Sequence, residues 1–365
     1  MPFQKTTISS IEIPPLPRYN TPPVLTDFDL ASVLGIKTRT LWFLITQRAK
    51  LYSVFRIPKR THGFRVIHNP DSRLKHVQRN LYTRFLLPVE MGECVCAYVP
   101  GRSVLDVPPR HLNKAVTVQI DIKDFFNSVT QGMVKDMFRD LLGYSQEVSS
   151  MLSGLVTVAQ SGMHVTDHTR YFVPQGSPSS GAVCNLVVWQ KVDQRILAFL
   201  QKQESTWDYD RYSDNIILST VDGGDDEHVR QVVREIVDMY KDARFRINWK
   251  KLRYQRPSSR VNPPQVLGVS TDRLPNIPST TYRKLRAVVH NVWIHGPDSQ
   301  VERSGCKDVD HLLSSLRGKL NYWSRVNPRK IEPLVQKFEE TLEMLKHPRG
   351  YPLRRRLIRG HDASW

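Results

Sequence analysis

The spacing of apolar side chains changes several times along this chain, and each change marks an element. Residues 27–34 and 38–51 repeat apolar positions at helical spacing, with Thr26 or Asp27 and Thr38 placed as N-caps. From Tyr52 the period falls to two. Residues 52–59 and 64–70 read as two short strands about a turn at Thr61-His62-Gly63, and a helix is predicted over 72–87. Val116-Thr117-Val118-Gln119-Ile120-Asp121 alternates like a strand and ends on a carboxylate, before helical spacing returns near 131–142. A Gly, Pro and Ser loop at 173–181 then opens a long apolar helix over 182–200. Residues 209–213 alternate once more, and Ile216-Ile217-Leu218 follows as a buried strand. Between these two runs lies Ser213-Asp214-Asn215, whose residue types suit a tight turn. Further helices are predicted over 281–293, 308–322 and 328–345, and the first 30 or so residues, rich in Pro, Ser and Thr, as an extended arm.

Composition narrows the partner. The 365 residues are 40% hydrophobic with seven Trp, enough for two or three packed subdomains. Lys and Arg outnumber Asp and Glu by 53 to 35, a formal charge of +18, which points to a polyanion such as nucleic acid. No apolar run of about 18 residues and no opening signal peptide is present, so a membrane is not expected. Cys94, Cys96, Cys184 and Cys306 have neither zinc spacing nor a disulfide pattern, so a reducing, cytoplasmic setting is expected.

Two strand-end carboxylates, Asp121 and Asp214, would meet side by side if their strands were neighbours. Few carboxylates, with substrate phosphates and water, are what two Mg²⁺ ions need for in-line nucleotidyl transfer. The hairpin at 52–70 offers Lys59 and Arg65 to a triphosphate. Each piece also has a plainer reading: a surface Asp-Asn turn, a solvated edge hairpin, a strand-end Asp acting as a cap, and a loop that merely starts a helix. Tyr282, Trp293, Tyr322, Trp323 and Phe338 are interleaved with basic residues after 276, as in a helical surface that tracks a duplex backbone. Arg354-Arg355-Arg356 extends that field, or is a solvated charge run.

Taken in order, the blocks resemble the reverse transcriptase family. They are Ile57-Pro58-Lys59 with Gly63-Phe64-Arg65-Val66-Ile67, Asp121-Ile122-Lys123-Asp124-Phe125-Phe126, Pro174-Gln175-Gly176-Ser177-Pro178, Tyr212-Ser213-Asp214-Asn215, Phe245-Arg246-Ile247-Asn248-Trp249-Lys250-Lys251, Gln265-Val266-Leu267-Gly268-Val269 and Leu316-Arg317-Gly318-Lys319-Leu320-Asn321-Tyr322. The resemblance implies a right-hand polymerase of α/β fingers and palm, an antiparallel sheet with packed helices, followed by an α-helical thumb. Its implied boundaries are an arm at 1–35, fingers at 36–115, palm at 116–275 with a fingers contribution near 171–181, and a basic thumb and tail at 276–365.

The resemblance also implies roles. Asp121 and Asp214 would bind two Mg²⁺ ions with the carbonyl of Ile122, and Asn215 would be a third ligand in place of the family's second Asp, bringing no charge. Phe126 would stack under the deoxyribose and exclude a 2′-hydroxyl, so that dNTPs are the substrates; as a plainer reading, it is a core aromatic. Lys59 and Arg65 would hold the triphosphate, Gln175 would contact nucleotide or template, and Lys251 or Lys250 would approach the leaving pyrophosphate. Lys319, Arg325 and Arg354-Arg355-Arg356 would bind nucleic acid.

Within the family the chain is most similar to bacterial retron enzymes, since extensions such as an endonuclease or ribonuclease H domain are not expected in this length. It departs from their pattern at Val107-Pro108-Pro109-Arg110-His111, which keeps only the His of an Asn-Ala-x-x-His signature, and at Val266-Leu267-Gly268, where Val-Thr-Gly is usual. Gln175 argues against diversity-generating elements. The implied function is RNA-directed synthesis of single-stranded DNA (msDNA) on a structured non-coding RNA, in antiviral (phage) defence beside an effector or toxin protein. The alternatives are a defence enzyme making untemplated or protein-primed DNA, and a catalytically weak RNA-binding scaffold. Oligomeric state is not readable from the sequence.

Overall fold

In the computed structural model of the chain, the described residues are 19–59, 63–159, 170–223, 225–257 and 263–346. Arg354, Arg355, Arg356, part of the hairpin turn at 61–63 and most of the arm lie outside them. Two compact units are present, one within Met1–Ser103, Val118–Leu218 and Asp222–Arg253, the other within Val104–Thr117, Ser219–Val221 and Tyr254–Trp365.

In the first unit, helix Asp27–Leu34 begins with a capping box: the Thr26 hydroxyl accepts from the Asp29 amide, and the Asp29 carboxylate accepts from the Thr26 amide. Helix Thr38–Thr46 is capped one residue earlier than expected: Lys37 takes the N-cap position without a side-chain bond, and Thr38 is the first helical residue. Strands Tyr52–Pro58 and Phe64–Pro70 pair antiparallel, Tyr52 opposite Pro70 and Pro58 opposite Phe64. The helix after them, Ser72–Leu81, is capped by Asp71 and widens into a π-helical turn at Tyr82–Leu86. The same widening follows Gln131–Asp136, at Met137–Leu141, and Ser180–Val188, at Trp189–Asp193.

The central sheet has the strand order Trp207–Tyr212, Asn215–Thr220, Val116–Asp121, Arg253–Gln255. The Trp207–Asn215 hairpin turns on Ser213, held at φ 60°, and Asp214. Ile120, Ile122, Ile216, Ile217 and Leu218 are buried, so the apolar alternation read along these strands faces a core.

The second unit is built mainly from helices Ser279–His295, Val309–Val326 and Pro328–Lys346. Leu285, Val289, Leu312, Leu316, Leu320, Ile331 and Phe338 form their common core. A two-strand ribbon, Gln265–Val266 with Val269–Ser270, turns through Leu267 (φ 50°) and Gly268 (φ 84°). His111 is fully buried in this unit, with Nδ1 2.7 Å from the Ser219 hydroxyl. Among the described residues, no helix is long and apolar enough to cross a membrane.

Candidate active site

Three backbone contacts bring the two carboxylates together. The Ile122 amide donates to the Asp214 carbonyl at 2.8 Å, tying the end of the Val116–Asp121 strand to the hairpin turn. On its other side, the Asn248 amide donates to the Asp121 carbonyl and the Lys123 amide to the Arg246 carbonyl, both at 2.8 Å. Asp121 is therefore fixed from both flanks, and its side chain is buried. Its Oδ2 accepts from Lys251 Nζ at 2.7 Å, and its Oδ1 from Asn248 Nδ2 at 3.1 Å. Asn248 was assigned no role from sequence, although it lies within a block quoted for the resemblance. Of the two candidate lysines, Lys251 reaches Asp121 and lines the cleft.

Burial pushes the Asp214 carboxyl above its ordinary pKa, and the facing Asp121 carboxylate pushes it further, against the opposing pull of Lys251 and Arg65. Two oxygen-donor side chains that repel each other at the mouth of a polar cleft form a donor set suited to a hard divalent cation. Among the described residues, no three His, Cys, Asp or Glu side chains gather as a metal cage. A cation shared with substrate phosphates needs none. Asn215 sits beside Asp214 with its amide nitrogen 3.3 Å from Asp214 Oδ1 and 3.4 Å from the Tyr212 carbonyl, so a donor faces the acid.

A cleft of about 920 Å³ opens over these groups. Lys59, Arg65, Phe126 and Gln175 line it together with Asp121, Ile122, Asp214 and Lys251, which places the basic hairpin and the carboxylates about one space. Gln175 is held by its own carbonyl, which accepts from the His68 amide at 2.8 Å. Gly176 follows at φ 122°, where a Cβ would come within 2.8 Å of Ile67 and 2.9 Å of the His68 carbonyl oxygen. Only glycine lets the loop lie so close to the hairpin. Ser177 donates to Gln78 at 2.7 Å, anchoring the loop to the Ser72–Leu81 helix. Lys319 and Arg325 are exposed on the Val309–Val326 helix of the second unit.

Behind the turn lies a charged cluster that sequence reasoning missed. Arg211 is fully buried; its Nη2 and Nε donate to Asp193 at 2.7 and 3.0 Å, and its Nη1 donates to Asn185 Oδ1 at 2.8 Å. Burial opposes the Arg211 charge, but the Asp193 carboxylate more than offsets it and holds the guanidinium protonated. Tyr209 donates its hydroxyl to Asp193 as well. The strand leading into the turn is thereby fastened to the helix that follows the 173–181 loop.

A strand-end carboxylate pair, a basic hairpin across a polar cleft and a glycine-tight loop between them define a template-directed nucleotidyltransferase. The chain belongs to the reverse transcriptase (RNA-dependent DNA polymerase) family, whose model matches residues 57–271. It is an RNA-directed DNA polymerase of retron-like bacterial type. The retron Mx65 reverse transcriptase of Myxococcus xanthus is 30% identical over 88% of this chain and 73% of that protein. The retron Ec83 reverse transcriptase of Escherichia coli is 26% identical over 83% of this chain and 92% of that one. The retron Ec86 enzyme of the same species is 24% identical over 77% and 82%. Among solved structures, telomerase from Candida albicans aligns with a TM-score of 0.45 at 14% identity, and the alignment covers 82% of this chain and 59% of that one.

Proposed function

We propose that this enzyme builds single-stranded DNA on a cognate structured non-coding RNA that supplies both template and primer, as part of a retron-like defence against phage with an effector protein. The observation that carries the chemistry is the fixing of Asp121 beside Asp214 by the Ile122 and Asn248 amides, at the mouth of a cleft lined by Lys59 and Arg65. Asp121 and Asp214 would hold two Mg²⁺ ions with the Ile122 carbonyl, and Asn215 would contribute its amide oxygen once the amide is turned over. Held there, such ions would supply neutralisation of the phosphate charge in an in-line displacement.

Around them, Lys59 and Arg65 hold the triphosphate of a dNTP, and Gln175 contacts nucleotide or template. Phe126 lies under the sugar, where a 2′-hydroxyl would collide with it. Lys251 leaves Asp121 for the departing pyrophosphate. Catalysis on this reading is mostly positioning and charge neutralisation. We assign fingers to 36–115, palm to 116–275 and thumb to the helices after 276; Lys319, Arg325 and the arginines at 354–356 neutralise duplex phosphates. The proposed setting is the bacterial cytoplasm, in keeping with four cysteines that form no disulfide.

The test is to purify the protein from cells carrying its native locus, beside an Asp214→Ala preparation, and to digest the bound nucleic acid with DNase and RNase. A discrete DNase-sensitive species joined to RNA, absent from the variant, is the expected result. DNA with no attached RNA would replace this reading with untemplated or protein-primed synthesis, and identical RNA in both preparations would replace it with the scaffold.

Asn215 yields a separate prediction. Asn215→Asp adds a charge beside the metal site and is expected to lower the Mg²⁺ concentration at half-maximal rate roughly fivefold, about 1 kcal/mol of added attraction. A magnesium titration of primer extension measures it.

A further inference from the structure

Tyr98 belongs to none of the motifs singled out in the sequence, yet the structure builds a great deal around it. Its backbone is in the left-handed region, φ 57°, which a bulky side chain adopts only when its surroundings enforce it. The enforcement is visible on both sides. Cys96 donates its amide to the Arg211 carbonyl and Arg211 donates its own to the Cys94 carbonyl, which lays 94–96 along the strand that enters the catalytic turn. The Asn185 side chain donates to the Ala97 carbonyl, and Arg102 Nη1 closes the loop by donating to the carbonyls of Gly92 and Val95 at 2.7 Å.

The ring is equally determined. One face lies against Gly181, where a Cβ would come within 2.5 Å of Tyr98 Cγ. The ring meets Phe126 edge to face, with centroids 6.2 Å apart at 63°. Its hydroxyl lies 3.2 Å from Ser213 Oγ, on the residue before Asp214. Beyond this wall is a second cavity of about 700 Å³, lined by Ile67, Tyr82, Arg102 and the 176–182 loop. Among the described residues, Tyr98, Phe126 and Gln175 line both spaces.

We propose that Tyr98 is a positioning residue for sugar selection: it backs Phe126 against the second cavity and pins the turn that carries Asp214. This rests on the reading of Phe126 as the residue that meets the 2′-position. The second cavity adjoins Phe126, which would yield to a ribonucleotide if Tyr98 did not stand against it. The Tyr98 ring, wedged on Gly181, removes that freedom. The hydroxyl does a different task, holding Ser213, so the two functions of one side chain are separable by substitution.

The experiment is single-nucleotide incorporation by the full chain on an RNA template annealed to a DNA primer, with kcat and KM measured for a dNTP and the matching NTP. Phe126→Ala is the control and is expected to relax the dNTP-over-NTP ratio of kcat/KM about a hundredfold. Tyr98→Ala and Tyr98→Leu are expected to relax the same ratio about tenfold, with a raised KM for the dNTP. Tyr98→Phe keeps the ratio and lowers kcat a few fold, by roughly the worth of one hydrogen bond. Gly181→Ala displaces the ring without altering it, and should change the ratio in the wild-type background but not in Tyr98→Ala, a non-additivity expected only of groups in contact. An unchanged ratio in Phe126→Ala would sink the reading of Phe126 and this inference with it. A relaxed ratio there, with the wild-type ratio kept in Tyr98→Ala and Tyr98→Leu, would overturn the role of Tyr98 alone. If Tyr98→Ala fails to fold, Tyr98→Leu and Gly181→Ala still decide the matter.

Discussion

Asp214→Asn is expected to abolish DNA synthesis, by about a thousandfold or more, while making the metal-free protein more stable. The loss follows from removing one of two carboxylates that hold charge against the reacting phosphate, and about 4 kcal/mol of transition-state stabilisation corresponds to that factor. The gain follows from the pKa. Burial and the facing Asp121 raise the Asp214 carboxyl above its unfolded value, so the folded state binds its proton more tightly than the unfolded state does. Stability from this group is present at low pH and is lost as pH rises through the raised folded pKa; at neutral pH the ionised carboxylate therefore works against folding. An amide of the same shape removes that cost. Thermal unfolding in chelator at neutral pH should show the variant melting higher, and the difference should shrink on acidification below the ordinary carboxylate range. Added Mg²⁺ should then stabilise the wild type and leave the variant unmoved, because only a state that binds the ion gains from it. A variant that melts lower than wild type in chelator would contradict the electrostatic account.

The second large effect lies behind the site. Arg211→Met, with Asp193 retained, leaves a carboxylate at zero exposure without its cation, and breaking such a pair costs about 3–5 kcal/mol. Against a total stability of about 5–15 kcal/mol for a typical domain, that is enough to deplete soluble protein. The double variant Arg211→Met/Asp193→Leu removes both charges and is expected to regain much of the stability, since buried pairs are often replaceable by apolar groups of similar size. Activity should not return with it. The Arg211 fork joins the strand before the turn to Asn185 and Asp193 with directional bonds, which methionine and leucine cannot make. Chemical denaturation separates the first outcome and primer extension the second; a double variant with full activity would show that the cluster stabilises the fold without positioning the turn.

These two cases also show what was legible in the sequence. The Asp-Asn turn at 213–215 was readable because period-two alternation stops there and gives way to the continuous apolar run Ile216-Ile217-Leu218. The strand ending in Asp121 was readable for the same reason. Their meeting was not, because the order that sets Asn215–Thr220 beside Val116–Asp121 leaves no mark on local spacing; the resemblance supplied that expectation. The role of Arg211 was hidden by its chemistry. Tyr209 and Arg211 alternate with Asp210 and Tyr212, yet Tyr209, Asp210 and Arg211 are all buried, so a polar core face looked like a half-exposed strand. Tyr98 was hidden by its setting, an irregular stretch in which neither period applies. Helix 182–200 was read as one continuous run, and nothing in its apolar spacing signalled the wider turn at Trp189–Asp193.

That wider turn has a consequence for how the gene can change in length. A π-helical turn holds one residue more than the regular helix around it, and each residue of an α-helix turns its neighbours by about 100°. Deleting one codon at 190–192 would restore regular hydrogen bonding and leave Asn185 and Asp193 seven residues apart, about 700° or nearly two full turns, so both would still face Arg211. The helix would survive as a helix, and the strand that carries the catalytic turn would keep its mooring. At this point in the chain a clean in-frame deletion is thus less damaging than in a regular helix, where it would turn everything beyond it by about 100°.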